Sequence, residues 1–132
     1  MGAGPAKALP LSNNGPSQNP LNNEPHEIRA GIEALLRGDD FEAHEHWEAY
    51  WRRLPRGPDK QGLQGLILIA VGRYKLTQGK PAIARRLWRR AASRLEEAPA
   101  DFLGFDRDVL LTWVAQLQRA PRTPAPPACG RR

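Results

Sequence analysis

The segment LQGLILIAVG, residues 63–72, decides the fold of this chain. Its apolar side chains cover most of the circumference of a helix, which is typical of a helix that several neighbours bury. Gly62, Gly65 and Gly72 each lower helix propensity by roughly 1 kcal/mol, so we expect another helix to cross closely at these positions. The pattern predicts a central helix from Pro58 to Gln78 in an all-α protein.

Turn residues and apolar spacing predict four further helices around the central one. Pro25 suits a first turn and Gly38 a helix end, while Asp39 with Glu42 resembles a capping box at the start of the second helix. Because the connections are short, neighbouring helices should be antiparallel, which gives an up-and-down helical bundle of about five helices. No strand-like alternation of useful length and no internal repeat are evident. The four predicted ranges are Glu24–Arg37, Asp39–Leu54, Pro81–Glu97 and Asp106–Leu117.

The composition divides the chain into one domain and two tails. Residues 1–23 are rich in Pro, Gly, Asn and Ser, and residues 120–132 are Pro-rich and basic, so both are predicted to be disordered. Residues 24–119 are predicted to form the helical bundle domain. No apolar run is long enough for a secretory signal or a membrane span, and the single cysteine, Cys129, excludes an internal disulfide. We therefore expect a cytoplasmic protein that has no membrane partner.

The net charge of +6 and the pI of about 10.2 raise the question of nucleic-acid binding. Of the 20 basic residues, 16 lie between Arg29 and Arg119, and all 14 acidic residues lie in the same domain. The predicted domain therefore carries about +2, and the tails supply the rest of the charge. This near balance argues against nucleic acid as the partner without excluding it.

A second segment, FEAHEHWEAYW at residues 41–51, places ionisable side chains beside aromatic ones. At about 100° per residue, His44, Glu45 and Glu48 share one side of a helix with two of the aromatic residues. Ionisable groups close to a core must be paired, hydrogen-bonded or functional, because an unpaired buried charge is costly. This segment is therefore the candidate functional site.

The segments FEAHEHWEAYWRRL and LQGLILIAVGRYKLTQGKPAIARRLWRRAASRL resemble the family called domain of unknown function 309. The resemblance covers about Ile28 to Leu117 and implies a small all-helical bundle with no established biochemical role. Some similar proteins are labelled predicted metal-dependent hydrolases. Similar sequences often have Gln where this chain has Leu68. The motif positions in this chain are Phe41, Ala43, His44, Glu45, Glu48, Trp51, Gln64, Gly65, Leu66, Ile67 and Ala70.

One interpretation of the second segment is a metal-dependent hydrolase. His44 and Glu48 are four residues apart and can approach one divalent metal ion, with Glu45 beside them as a third candidate ligand or catalytic base. However, HEHWE is not the H-E-x-x-H motif of zinc proteases. No Asp, Glu or His lies between Lys60 and Leu95, so the third and fourth helices supply no carboxylate or imidazole ligand. We therefore expect no cofactor, and keep the metal ion as the alternative.

In a structural interpretation, basic and amide side chains form ion pairs and hydrogen bonds with the glutamates. Gln64 and Arg73 on the central helix are the candidate counter-groups, together with Arg52 on the second helix, because such pairs can fix helix register. The fourth helix supports a further alternative, an electrostatic binder of nucleic acid or of an acidic protein, although a solvated helix face explains the same residues. This basic face consists of Arg85, Arg86, Arg89, Arg90 and Arg94.

These observations predict an uncharacterised helical bundle that acts as a non-enzymatic binding or structural module, with its polar cluster around His44, Glu45 and Glu48. Whether the protein is an enzyme stays open. Its partner is unknown, and a homodimer is one option. Tyr50 and Trp47 are candidates for an exposed groove, although the tryptophans as a group are predicted core anchors. These are Trp47, Trp51, Trp88 and Trp113.

Overall fold

The computed structural model describes residues 24–119, which form five helices and one small hairpin of strands. The predicted helical bundle is confirmed, and each helix lies within a few residues of its predicted range. The predicted tails, residues 1–23 and 120–132, lie outside the described residues. The elements are α1 (His26–Leu36), α2 (Asp40–Trp51), α3 (Pro58–Thr77), α4 (Pro81–Glu96), β1 (Asp101–Phe102), β2 (Phe105–Asp106) and α5 (Arg107–Arg119).

Local chemistry sets the helix boundaries where the sequence predicts them. The side chain of Asp39 accepts a hydrogen bond from the Glu42 backbone N–H at 3.0 Å, which caps the start of α2. Gly38 and Gly79 end α1 and α3 with φ angles of 87° and 77°. Only glycine adopts this left-handed conformation without steric cost, so both turns require it.

Helix α3 is the centre of the core, as its apolar circumference predicts. It packs against both α2 and α4, and most of its residues from Gly62 to Arg73 are buried. Its glycines lie where neighbours come close, since a Cβ at Gly65 would lie 3.1 Å from the carbonyl oxygen of Ala91 on α4. Gly62 contacts the ring of Phe102 on β1 in the same way.

The pair α1–α2 and the pair α3–α4 are two copies of one helical hairpin. When the chain is shifted by 41 residues, Ile28 aligns with Ile69 and Leu54 with Leu95, without a gap. The expectation that the chain contains no internal repeat is therefore wrong. Eight of the 27 aligned positions are identical, and they are spread so widely that the sequence alone does not draw attention to them. In the first copy they are Ile28, Gly31, Leu35, Gly38, Ala43, Trp47, Arg53 and Leu54.

The repeat extends to the contacts inside each hairpin. Trp47 Nε1 donates a hydrogen bond to the Ile28 carbonyl oxygen at 3.2 Å. At the equivalent place in the second hairpin, Trp88 Nε1 donates to the Ile69 carbonyl oxygen at 3.3 Å. Both indole rings are buried, so each hydrogen bond satisfies a polar group that would otherwise be costly to bury.

A two-stranded hairpin between α4 and α5 is the element that the sequence does not predict. Strands β1 and β2 pair antiparallel, with Phe102 opposite Phe105. Both rings are buried and lie 5.6 Å apart between centroids. With only two residues in each strand, the pair is too short to produce the alternating pattern by which strands are recognised.

The glycines of the repeat provide a test of the fold. A Cβ at Gly31 would overlap the indole of Trp47, and one at Gly72 would overlap the indole of Trp88. We predict that Gly31→Ala and Gly72→Ala each lower the free energy of unfolding by about 1–3 kcal/mol, because overpacking outweighs the better helix propensity of alanine. Urea unfolding followed by circular dichroism measures this change.

The matched control is Ala82→Gly at an exposed position of α4, which tests helix propensity without packing. This substitution should lower the free energy of unfolding by no more than about 1 kcal/mol. A stabilised Gly31→Ala or Gly72→Ala protein would contradict the close contact.

Candidate functional site

The candidate site on α2 is a row of polar side-chain contacts contained in one helix. His44 Nε2 lies 3.2 Å from Glu48 Oε1, and Glu48 Oε2 lies 3.5 Å from a guanidinium nitrogen of Arg52. The other ring nitrogen of His44 lies 3.2 Å from the carbonyl oxygen of Phe41. The Glu48 side chain is 37% exposed, so these pairs lie at the surface and not in a pocket.

The three predicted candidates are not brought together as one centre. Glu45 is exposed, and no ion pair in the described part of the chain includes it. Among residues 24–119 there is no group of three or more His, Cys, Asp or Glu side chains placed to hold a metal ion. The row therefore offers one imidazole and one carboxylate that already contact each other.

Two of the remaining motif positions, Trp51 and Gly65, have packing roles. Trp51 Nε1 donates to the Lys60 carbonyl oxygen at 3.1 Å, and the Lys60 ammonium lies 4.3 Å from the centre of the Trp51 ring. These contacts join the end of α2 to the start of α3. Gln64 is half-buried, and Gly65 lies against α4. Trp47 is completely buried, so its candidacy for an exposed groove is wrong, and Tyr50 is half-buried.

Arg73 lies beside the carboxylate of Asp40, for which the sequence predicts no partner. It was a candidate counter-group for the glutamates of α2, but its Nε lies 3.5 Å from Asp40 Oδ1. Both side chains are buried, and the guanidinium also lies 5.4 Å from the centre of the Trp113 ring. The repeat is the sequence signal for this buried charge, because Arg73 occupies the position that the apolar residue Ile32 has in the first hairpin.

Burial makes the carboxylate of this pair costly. Loss of solvent raises the pKa of Asp40, although the nearby Arg73 guanidinium acts in the opposite direction. The cost of desolvation therefore outweighs the attraction between the two charges, so the pair adds little net stability. Removing one partner would nevertheless be costly, because the other charge would stay buried without its partner. Asp40 also lines an open cleft of about 380 Å³ between the α1–α2 turn and the end of α3.

The arginine face of α4, which we define as Arg85, Arg86, Arg89 and Arg90, places four like charges close together on one helix. All four side chains are exposed, and no carboxylate among residues 24–119 forms an ion pair with any of them. The fifth predicted member, Arg94, differs because it is half-buried and donates a hydrogen bond to Gln61 Oε1 on α3 at 3.4 Å.

The repeat relates this face to the row on α2. His44, Glu45 and Glu48 occupy the same positions in the first hairpin as Arg85, Arg86 and Arg89 occupy in the second. The buried glycine and tryptophan positions are identical in the two copies, whereas two of these three surface positions carry a glutamate in one copy and an arginine in the other. The fold therefore does not dictate the charge on the outer side of α2 or α4.

Comparison with known families agrees with the resemblance of the sequence. The sequence model of the family described as "Domain of unknown function (DUF309)" matches residues 28–87. This match supports the assignment of the chain to the DUF309 family. The matched residues begin in α1 and end within α4, so they include all of α2, with its row, and all of α3.

The DUF309 description assigns no activity to the chain. No curated protein matches it. None of the helices in residues 24–119 is both long and apolar enough to cross a membrane.

The buried ion pair generates a stability prediction. We predict that Arg73→Met lowers the free energy of unfolding by about 3–5 kcal/mol, because it leaves Asp40 buried beside no cation. The double variant Asp40→Leu/Arg73→Met should recover most of that loss, since it removes both charges. Urea unfolding of the two proteins measures the difference, and a double variant as unstable as the single one would contradict this account.

For the row on α2 we predict only a small contribution to stability. Because Glu48 is partly exposed, Glu48→Ala should change the free energy of unfolding by no more than about 1 kcal/mol. Metal content measured by mass spectrometry on tag-free protein, with His44→Ala/Glu48→Ala alongside, separates this account from a metal centre. Near-stoichiometric metal that the double variant loses would contradict a purely electrostatic role of the row.

Proposed function

We propose that this protein is a non-enzymatic binding module that recognises an acidic protein partner through the arginine face of α4. The observation that carries the proposal is the set of four exposed guanidinium groups without a carboxylate partner among residues 24–119. Guanidinium groups bind carboxylates in a bidentate geometry, so a row of them suits a partner with several carboxylates.

The arrangement of charge on α4 costs stability, which supports a role in binding. Arg85 and Arg89 are four residues apart, as are Arg86 and Arg90, and like charges at this spacing destabilise a helix by about 0.2–0.5 kcal/mol per pair. The fold does not require them, because none of their equivalents in the first hairpin is a lysine or an arginine. An acidic partner would convert this repulsion into attraction.

The surroundings of the face favour an acidic protein over nucleic acid. Glu96 and Glu97 follow directly at the end of α4, where a longer polyphosphate would meet carboxylates. The tryptophan of this helix, Trp88, is buried, so it offers no stacking platform for bases. A partner of limited length with clustered carboxylates fits the face better. We expect this binding to take place in the cytoplasm.

Charge reversal tests the proposal. Arg86→Glu/Arg89→Glu should abolish measurable binding of a poly-glutamate peptide by isothermal titration calorimetry, because two attractive contacts become repulsive. Binding by the parent protein should weaken steeply between about 0.1 M and about 1 M salt, across which the Debye length falls from about 10 Å to about 3 Å.

The matched control is Arg56→Glu/Arg119→Glu, which changes the net charge equally at two exposed positions outside α4. This control should retain binding. If both variants lose binding equally, the net charge alone determines binding, and this result would contradict recognition by the arginine face. Tighter binding of duplex DNA than of the peptide by the parent would contradict an acidic protein as the partner.

The metal-dependent hydrolase remains an alternative that the family resemblance brings with it. It would use His44 and Glu48, with a divalent metal ion completed by further ligands. The contact between these two side chains is the only observation within residues 24–119 that favours it, and that contact suits an ion pair equally well.

A further inference from the structure

The carboxylates of α2 form a surface that matches the arginine face of α4. We define Glu42, Glu45 and Glu48 as the carboxylate row, which is exposed or half-exposed along one helix. Glu45 and Glu48 are three residues apart, as are Arg86 and Arg89, so each pair is separated by about 4.5 Å along its helix axis. The spacing of one surface therefore fits the spacing of the other.

The two hairpins also differ strongly in overall charge. Residues 28–54 contain six carboxylates and four arginines, which gives a net charge of −2 with the histidines neutral. Residues 69–95 contain eight Lys and Arg side chains and no carboxylate, which gives +8. One copy of the chain thus carries a cationic face and an anionic row on two equivalent elements of the same fold.

We propose that two copies of this chain associate by contact between the arginine face of one copy and the carboxylate row of the other. The inference rests on the proposed function, because it identifies a second copy as an acidic partner of the same face. At about 0.1 M salt the charges of the two copies attract at contact distance, while repulsion between their distant charges is largely screened.

The contacts within the carboxylate row do not prevent this association. Glu42 lies 3.1 Å from His46 and 3.3 Å from Arg37. Glu48 lies 3.2 Å from His44 and 3.5 Å from Arg52. Both arginines are more than half exposed, and the two glutamates are 43% and 37% exposed. Such surface ion pairs contribute little, so exchanging them for a partner's guanidinium costs little. Glu45 has no ion pair within residues 24–119 to exchange.

Complementary charge reversals test the contact. The first variant, Arg86→Glu/Arg89→Glu, carries carboxylates on both surfaces, and the second, Glu45→Arg/Glu48→Arg, carries arginines on both. In sedimentation velocity at about 0.1 M salt we expect the parent to associate and each variant alone to associate about tenfold more weakly or not at all. An equimolar mixture of the two variants should restore association, because each then supplies the surface that the other lacks.

The controls Arg56→Glu/Arg119→Glu and Glu33→Arg/Glu97→Arg match the two variants in net charge at exposed positions outside both surfaces. Each control should associate as strongly as the parent does, and a mixture of the two controls should associate no more strongly than either control alone. A parent that stays monomeric, or a mixture of the two variants that does not associate, overturns the inference.

The poly-glutamate titration separates this inference from the proposed function. If the parent binds the peptide through the arginine face but remains monomeric, the partner is another acidic protein and only the self-association fails. If the parent neither binds the peptide nor associates, both proposals fail.

Discussion

The contact between a glycine and a tryptophan inside each helical hairpin is the constraint on which this structure depends. Gly31 and Gly72 allow the indoles of Trp47 and Trp88 to lie directly against the preceding helix. Only this close approach lets each indole N–H reach a carbonyl oxygen of that helix, which is how a large ring with a polar atom is buried without penalty. Because the contact occurs twice, it sets the same crossing in both hairpins.

Once these contacts fix the hairpin, the outer sides of α2 and α4 are free to differ. Seven of the eight positions that are identical in the two copies carry glycine, alanine, isoleucine, leucine or tryptophan. The exposed positions carry histidine and glutamate in α2 but arginine in α4. The proposed binding surface therefore lies on a helical frame that does not depend on it, and we expect charge reversal at Arg86 and Arg89 to leave the fold intact.

Much of the fold is predictable from the sequence because its boundaries depend on local chemistry. Asp39 caps α2 and the glycines at 38 and 79 end α1 and α3, and each acts through its own backbone or its immediate neighbours. The partner of Arg73 is not predictable in this way, because it depends on how α2 crosses α3. The placement of His44, Glu45 and Glu48 along one helix is predictable in the same local way, and the i, i+4 contact between His44 and Glu48 follows from that placement.

Hydrogen exchange of the indole N–H groups of Trp47 and Trp88, followed by NMR, tests the central claim most directly. If the two equivalent contacts hold one core, both protons should exchange only through global unfolding, with an opening free energy equal to the free energy of unfolding. Fast exchange of one indole, with the other still protected, would show that one hairpin opens alone. That result would contradict a fold built on two equivalent glycine–tryptophan contacts.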